Sequence, residues 1–386
     1  MKYSDSCIGF STLPMGYESM QFHDNTDKTG FTVDWFTFSS RRIDTSGLPD
    51  AMPPLFENPL AGDDNNIGEN LNFKYPVLYP SGKSRLNEAV LLLHGLNERS
   101  WAKYFPWAQR ISGELNRPVI LFPISFHMNR SPREWSNPRA MMLLLKQTRL
   151  KDKTNTSASF ANLALSLRLS ENPLRFFSSG SQSLGDLTQL IRQVSDGGHK
   201  LFEKGTRIDI FAYSIGAFLA QILLLNQVDQ LLSDSRLFMF CGGAAFNKMN
   251  GVSKLIMDEE AFARLRYYYI RQFERLARSH GSISSLSQHF PGIQAFLAML
   301  DASRLKQWRR ERFDAARDRI AALALSKDRI IPALAIRDMV QPVKTEILDF
   351  TYPYSHENPF PLFANGNVVV DQAFDSVFNR ACAFLR

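Results

Sequence analysis

The sequence is short of the features that would set it apart from ordinary globular proteins. It has three cysteines in 386 residues, Cys7, Cys241 and Cys382, widely spaced and odd in number. That offers neither a disulfide framework nor a clustered-thiolate zinc site. No apolar run approaches the roughly 20 residues that span a bilayer. Met1 to Phe10 contains no sustained apolar stretch ahead of a small-residue cleavage site, so a cytoplasmic protein with reduced thiols is expected. No His-Glu-x-x-His and no clustered Asp/His spacing suggests a metal, and no glycine-rich phosphate loop follows a strand. No cofactor is therefore expected. Internal repeats and biased tracts are also absent.

What is present suits a large buried core. Apolar residues make up 44% and charged residues 22%, which fits one elaborated domain or two smaller ones. The formal net charge is +7, and residues 261–319 alone carry 12 Lys and Arg against 5 Asp and Glu. The excess is thus concentrated in one segment. It is either a solvated helix surface or a cationic face that attracts anionic substrates. Nucleic acid is not expected, because no recognition motif accompanies the charge. Peripheral contact with an anionic membrane stays open.

Along the chain, Gly30–Phe38 and Leu71–Tyr79 read as strands, separated by a Pro-, Gly-, Asp- and Asn-rich loop that runs from the mid-50s to Asn70. Glu88–Leu93 is a continuous apolar run ending at His94-Gly95, as in a strand buried on both faces. Ser100–Leu115 has helical spacing, and Pro118–Phe122 is a second buried strand. Residues 146–180 are polar and irregular, an excursion from the sheet. Ser183–Val194 is an amphipathic helix leading into a strand at Arg207–Tyr213, and another strand follows at Ser235–Gly243. Residues 247–319 carry helical patterns only. Strands return at Ile320–Leu325 and Lys344–Phe350, and a last helix runs from about Asp371 to Leu385. Alternation of this kind predicts an α/β fold with a mostly parallel sheet covered by helices on both faces.

The stretch Ala212-Tyr-Ser-Ile-Gly216 sits where a β-branched run meets an apolar helical pattern. A strand, a very tight turn and a helix place Ser214 at an apex, where its backbone is strained and its neighbours two residues away must be small. Ala212 and Gly216 meet that demand. The chain here resembles the α/β-hydrolase superfamily, whose nucleophile elbow usually reads Gly-x-Ser-x-Gly; Ala212 is a departure that keeps the steric logic. Within the superfamily the chain looks like a bacterial branch with a helical cap. Members with aspartate at the elbow, such as haloalkane dehalogenases and epoxide hydrolases, are set aside by the serine.

The resemblance implies a serine hydrolase whose partners follow in the order Ser, Asp or Glu, His. Beyond the helical segment the one histidine is His356, in a Pro-flanked loop after the last strand. Leu325-Ser-Lys-Asp328-Arg-Ile-Ile-Pro332 resembles the superfamily's acid loop; Asp338 and Asp349 are the rivals. The oxyanion donors implied are the amides of Ile215 and of Leu96, the latter within His94-Gly-Leu-Asn-Glu98. His94 itself reads as a structural hydrogen-bonding residue. His127 and Arg130 border the same mouth, as substrate contacts or as loop anchors. The aromatic run Tyr267–Tyr269 with Phe273 reads as packing or as a substrate wall. The resulting division is an N-terminal extension over 1–70, a core over 71–246 and 320–386, and a cap over 247–319. The expected substrate is a small acyl compound, foremost a carboxylic ester, then a thioester or amide, and an anionic one if the basic cap faces the site. A non-catalytic ligand-binding or interaction module of the same fold is the alternative.

Overall fold

The computed structural model describes residues 2–11, 30–44, 60, 62–82, 86–151, 155–226, 231–275, 290–364 and 366–386. Much of the expected N-terminal extension, part of the Pro- and Gly-rich loop and the middle of the expected cap lie outside those residues. Eight strands form one sheet: β1 (Phe31–Ser39), β2 (Asn72–Pro80), β3 (Leu86–Leu93), β4 (Val119–Leu121), β5 (Phe202–Tyr213), β6 (Leu237–Phe240), β7 (Ile320–Leu325) and β8 (Lys344–Leu348). Their order is β1-β2-β4-β3-β5-β6-β7-β8. β2 runs antiparallel to β1 and β4, and every other pairing is parallel. The sheet thus begins at β1, inside the stretch expected to precede the core.

The helices are α1 (Tyr3–Ser11), α2 (Tyr104–Leu115), α3 (Pro138–Lys151), α4 (Leu163–Glu171), α5 (Leu174–Ser195), α6 (Ile215–Asn226), α7 (Glu259–Tyr267), α8 (Ile293–Leu300), α9 (Lys306–Ala315), α10 (Ala333–Val340) and α11 (Val368–Leu385). Side chains alternate between faces along a strand, and β5 shows the result. Ile210 and Ala212 enter one apolar core with residues of α5, α6 and α8, whereas Phe211 and Tyr213 enter a second with α2 and α11. Both faces are covered, which is why the strands read as unbroken apolar runs. This strand order, with a serine elbow between β5 and α6, is the α/β-hydrolase fold. None of the described helices is long and apolar enough to cross a membrane.

Among the described residues of 146–180, the stretches 146–151, 163–171 and 174–180 are helical, and 155–162 is a turn-rich connection. Asn137 accepts from the amides of Arg139 and Ala140 and so starts α3, with Pro138 at its first position. α5 begins well before Ser183 because Leu174, Phe177, Leu184 and Leu187 share a buried face. The intervening Ser178-Ser-Gly-Ser-Gln182 conceals that periodicity; packing overrides its weak propensity. Between β6 and β7, α7 is capped by the Asp258 carboxylate on the Ala261 amide.

β4 and β5 flank β3 on opposite sides, so the connections after β3 and β5 diverge and open a crevice at the strands' carboxyl ends. Ser214 lies there with φ of +56°. Two glycines make the turn fit. A Cβ on Gly216 would stand 2.7 Å from the Leu93 carbonyl oxygen and 2.8 Å from that of His94. On Gly242 it would stand 2.6 Å from the Ser214 carbonyl oxygen. These are backbone atoms that cannot swing aside. Gly216→Ala is expected to lower stability by about 1–3 kcal/mol in urea denaturation. Gly185→Ala, inside α5 with open space around it, is expected to raise it by about 0.5–1 kcal/mol.

Candidate active site

Three loops at the carboxyl end of the sheet bring Ser214, His356 and Asp328 together, and all three are buried. The Ser214 hydroxyl lies 2.6 Å from His356 Nε2. On the other side of the ring, Nδ1–H donates to Asp328 Oδ2 at 2.7 Å. Asp328 Oδ1 accepts from the amides of Ile330 and Ile331 at 2.9 and 3.0 Å, which turns its second oxygen toward the imidazole. That arrangement fixes the tautomer: Nδ1 carries the proton and Nε2 presents a lone pair to the serine. The rival carboxylates do not reach the ring. Asp338 is exposed on α10 beside Arg337, and Asp349 is exposed and pairs with Lys327 and Tyr354.

The His356 loop is held from beneath by the residue before the serine. The Tyr213 hydroxyl donates to the His356 carbonyl, and its ring lies parallel to the imidazole with centroids 5.6 Å apart. Sequence reasoning missed this role, because a tyrosine at a strand end reads as core. The amide of Ile215 opens α6, where helical amides lack intrahelical partners and the dipole favours negative charge. Leu96 faces the same cavity. Its loop is clamped at several points: Gly95 N–H donates to the Tyr104 hydroxyl at 2.9 Å, and that hydroxyl donates to Glu98. Asn97, left-handed at φ +61°, donates to the carbonyls of Ala161 and Leu255.

The cavity over Ser214 measures about 350 Å³, and its walls include Leu96, Trp135, Met141, Phe160 and Leu255. Several walls therefore come from the 135–161 stretch, which the sequence left without a function. Among the described residues none of the basic segment from α7 to β7 lines it. Tyr268, Tyr269 and Phe273 are buried in packing with Phe177 and Phe296.

His94, His127 and Arg130 are all buried away from the cavity. His94 Nδ1–H donates to the Gly95 carbonyl, and Nε2 accepts from the Ile124 amide; it is the structural residue expected. Arg130 is not at the mouth. It is fully buried, pairs with Asp186 at 2.7 Å, donates to the carbonyls of Pro123 and Asn70, and lies over the Phe73 ring. Burial raises the Asp186 carboxyl and lowers the guanidinium to about 10. His127 donates from Nδ1 to the Ser125 carbonyl. It borders a small apolar recess behind Leu96 and Ile215, not the Ser214 cavity.

Two measurements follow from these buried groups. Arg130→Met leaves Asp186 buried without its partner and is expected to cost about 3–5 kcal/mol, read by urea denaturation. Burial pushes His127 down to about 3 from 6.5, so the folded state stays neutral where the unfolded chain takes up a proton. The stability this histidine contributes is intact above pH 6.5 and declines as pH falls toward 3, by at most about 1.4 kcal/mol per unit. Denaturation midpoints between pH 7 and pH 5 are therefore expected to fall more steeply in the native protein than in His127→Gln. Equal slopes would contradict the assignment.

No curated protein sequence matches the chain. Among solved structures it is similar to a carboxyl esterase of the fungus Tuber melanosporum, at 9% identity and a TM-score of 0.45, over 99% of this chain and 98% of that one. An esterase of Pyrobaculum calidifontis is similar at 12% identity and a TM-score of 0.42, over 98% and 91%. A peroxisomal α/β-hydrolase of Saccharomyces cerevisiae is similar at 12% and 0.44, over 92% and 89%. Likeness this distant carries nothing about the reaction, and the fold assignment stands on strand order and elbow. At the level of sequence families the match is broad: over residues 20–386 the chain fits the model of DUF6051, a family of unknown function, and it belongs to that family.

Proposed function

We propose that the chain is a serine hydrolase that cleaves a carboxylic ester through an acyl-enzyme intermediate. The observation that carries this reading is the unbroken relay from the Ser214 hydroxyl through both ring nitrogens of His356 to a carboxylate fixed by two backbone amides. A serine hydroxyl is a poor nucleophile at neutral pH, and a base within hydrogen-bond reach supplies what it lacks. Ser214 Oγ attacks the ester carbonyl as its proton passes to His356 Nε2. The amides of Ile215 and Leu96 receive the oxyanion, where fixed donors stabilise charge that develops only in the transition state. Asp328 stabilises the imidazolium and remains ionised.

His356 then gives its proton to the departing alkoxide, and the alcohol leaves. Water attacks the acyl carbon, passing a proton to the same Nε2, and the acid departs as Ser214 recovers its proton. The cavity volume and mixed apolar walls fit a small ester. Thioesters and amides share the chemistry and rank behind, an amide needing stronger protonation of its leaving group.

Fluorophosphonate labelling tests the reading without a known substrate. Labelling of the folded protein is expected at Ser214 and is lost in Ser214→Ala. Asp328→Asn, which favours the wrong tautomer, is expected to slow labelling by about 10³–10⁴-fold. A folded protein that resists the reagent would overturn the assignment.

A further inference from the structure

Among the described residues, one cation in the cavity wall has no carboxylate partner. Arg99 lines the space over Ser214 and is half-buried. A guanidinium offers five N–H donors in a planar fork. Among the described residues only two acceptors meet it, both neutral: the Asn97 side-chain oxygen at 2.8 Å and the Ser131 hydroxyl at 3.2 Å. Its Nε is buried without a partner. Arg130 also leaves its Nε bare, but it and other nearby arginines each meet a carboxylate. Arg130 meets Asp186, and Arg168 and Arg175 both meet Asp64. Arg99 has no carboxylate within salt-bridge distance among the described residues. Burial and the neighbouring Arg168 push it down to about 10, so it stays charged at neutral pH.

We propose that Arg99 is the anchor for a carboxylate on the substrate, so that the ester cleaved at Ser214 is one that carries a free acid group. This rests on the hydrolase reading above and adds the chemical class of its substrate. An unpaired guanidinium facing a cavity is costly unless a ligand supplies the opposite charge, and its fork matches the two oxygens of a carboxylate. The other charges in the wall select a carboxylate over a phosphate. Glu98 is taken by Lys103 and by the Tyr104 hydroxyl. Glu357, beside His356, accepts from the Ser253 hydroxyl and still faces the cavity. A dianionic phosphate would meet that carboxylate with twice the repulsion and find a single cation in return. A small monoanion meets the same single cation with half that repulsion.

The test uses matched nitrophenyl esters. One pair is the mono-4-nitrophenyl ester of glutaric acid and its methyl-capped neutral counterpart, which places the acid on the acyl side. The other is 5-acetoxy-2-nitrobenzoic acid and its methyl ester, which places the acid on the leaving group. For at least one pair the native protein is expected to favour the free acid by tenfold or more in kcat/KM. Arg99→Gln is expected to bring that ratio close to one, and Arg99→Lys to restore part of it. A ratio near one in the native protein for both pairs would overturn the proposal. So would a ratio unchanged by Arg99→Gln, since a residue that merely holds Asn97 would slow both members of a pair alike.

Glutarate binding to the Ser214→Ala protein, followed by calorimetry, gives a readout that needs no turnover. Loss of tenfold or more in affinity on adding Arg99→Gln supports the anchor even if no ester is cleaved, in which case the hydrolase reading alone fails. Undetectable glutarate binding, or tighter binding of inorganic phosphate, would overturn the carboxylate assignment while leaving ester cleavage to be judged by the labelling experiment.

Discussion

The left-handed backbone at Ser214 is the constraint on which the site depends. An L-residue in that conformation pays in steric energy, and here close packing on all sides enforces it. Gly216 lets the first turn of α6 press against the carbonyls of Leu93 and His94, and Gly242 lets the end of β6 press against Ser214 itself. The consequence is geometric. The hydroxyl stands above the sheet, the following amide faces the same space, and the preceding side chain, Tyr213, is forced downward to hold the His356 loop. One strained residue therefore aligns the groups proposed as nucleophile, oxyanion donor and base support.

Histidine environments separate structure from chemistry in this fold. His94, His127 and His199 are all buried, and burial lowers each of them. Their partners are carbonyls, amides and a tyrosine hydroxyl. Among the described histidines only His356 meets a carboxylate. Burial opposes charge on these imidazoles even though the Gly95 and Ser125 carbonyls pull the other way on His94 and His127; His356 instead has a carboxylate against its ring. The same logic applies to the arginines. Those that hold the scaffold meet a carboxylate or, like Arg309, a set of carbonyls, and Arg99 departs from that rule where the wall opens on Ser214.

The alternation of strands, the elbow and the loops of Asp328 and His356 were legible in the sequence because each has a local signature. Strands buried on both faces produce unbroken apolar runs, and a strained turn demands small residues at fixed offsets. Two things were not legible. Several cavity walls come from 135–161, where Ser, Thr and Asn obscure the helical period and the chain is tied down by hydrogen bonds to distant residues. Arg130 follows β4 closely enough to suggest the mouth, yet its partner Asp186 lies on α5, a pairing no local pattern encodes. That Arg99 meets no carboxylate among the described residues was hidden for the same reason: no local pattern encodes which distant groups approach it.

Trapping the covalent intermediate tests the central claim most directly. The protein would be quenched in acid during turnover of a short nitrophenyl ester, digested, and its peptides weighed by mass spectrometry. The account predicts one acyl group, carried by the peptide that contains Ser214. Turnover with no acylated peptide, or acylation confined to another residue, would contradict it.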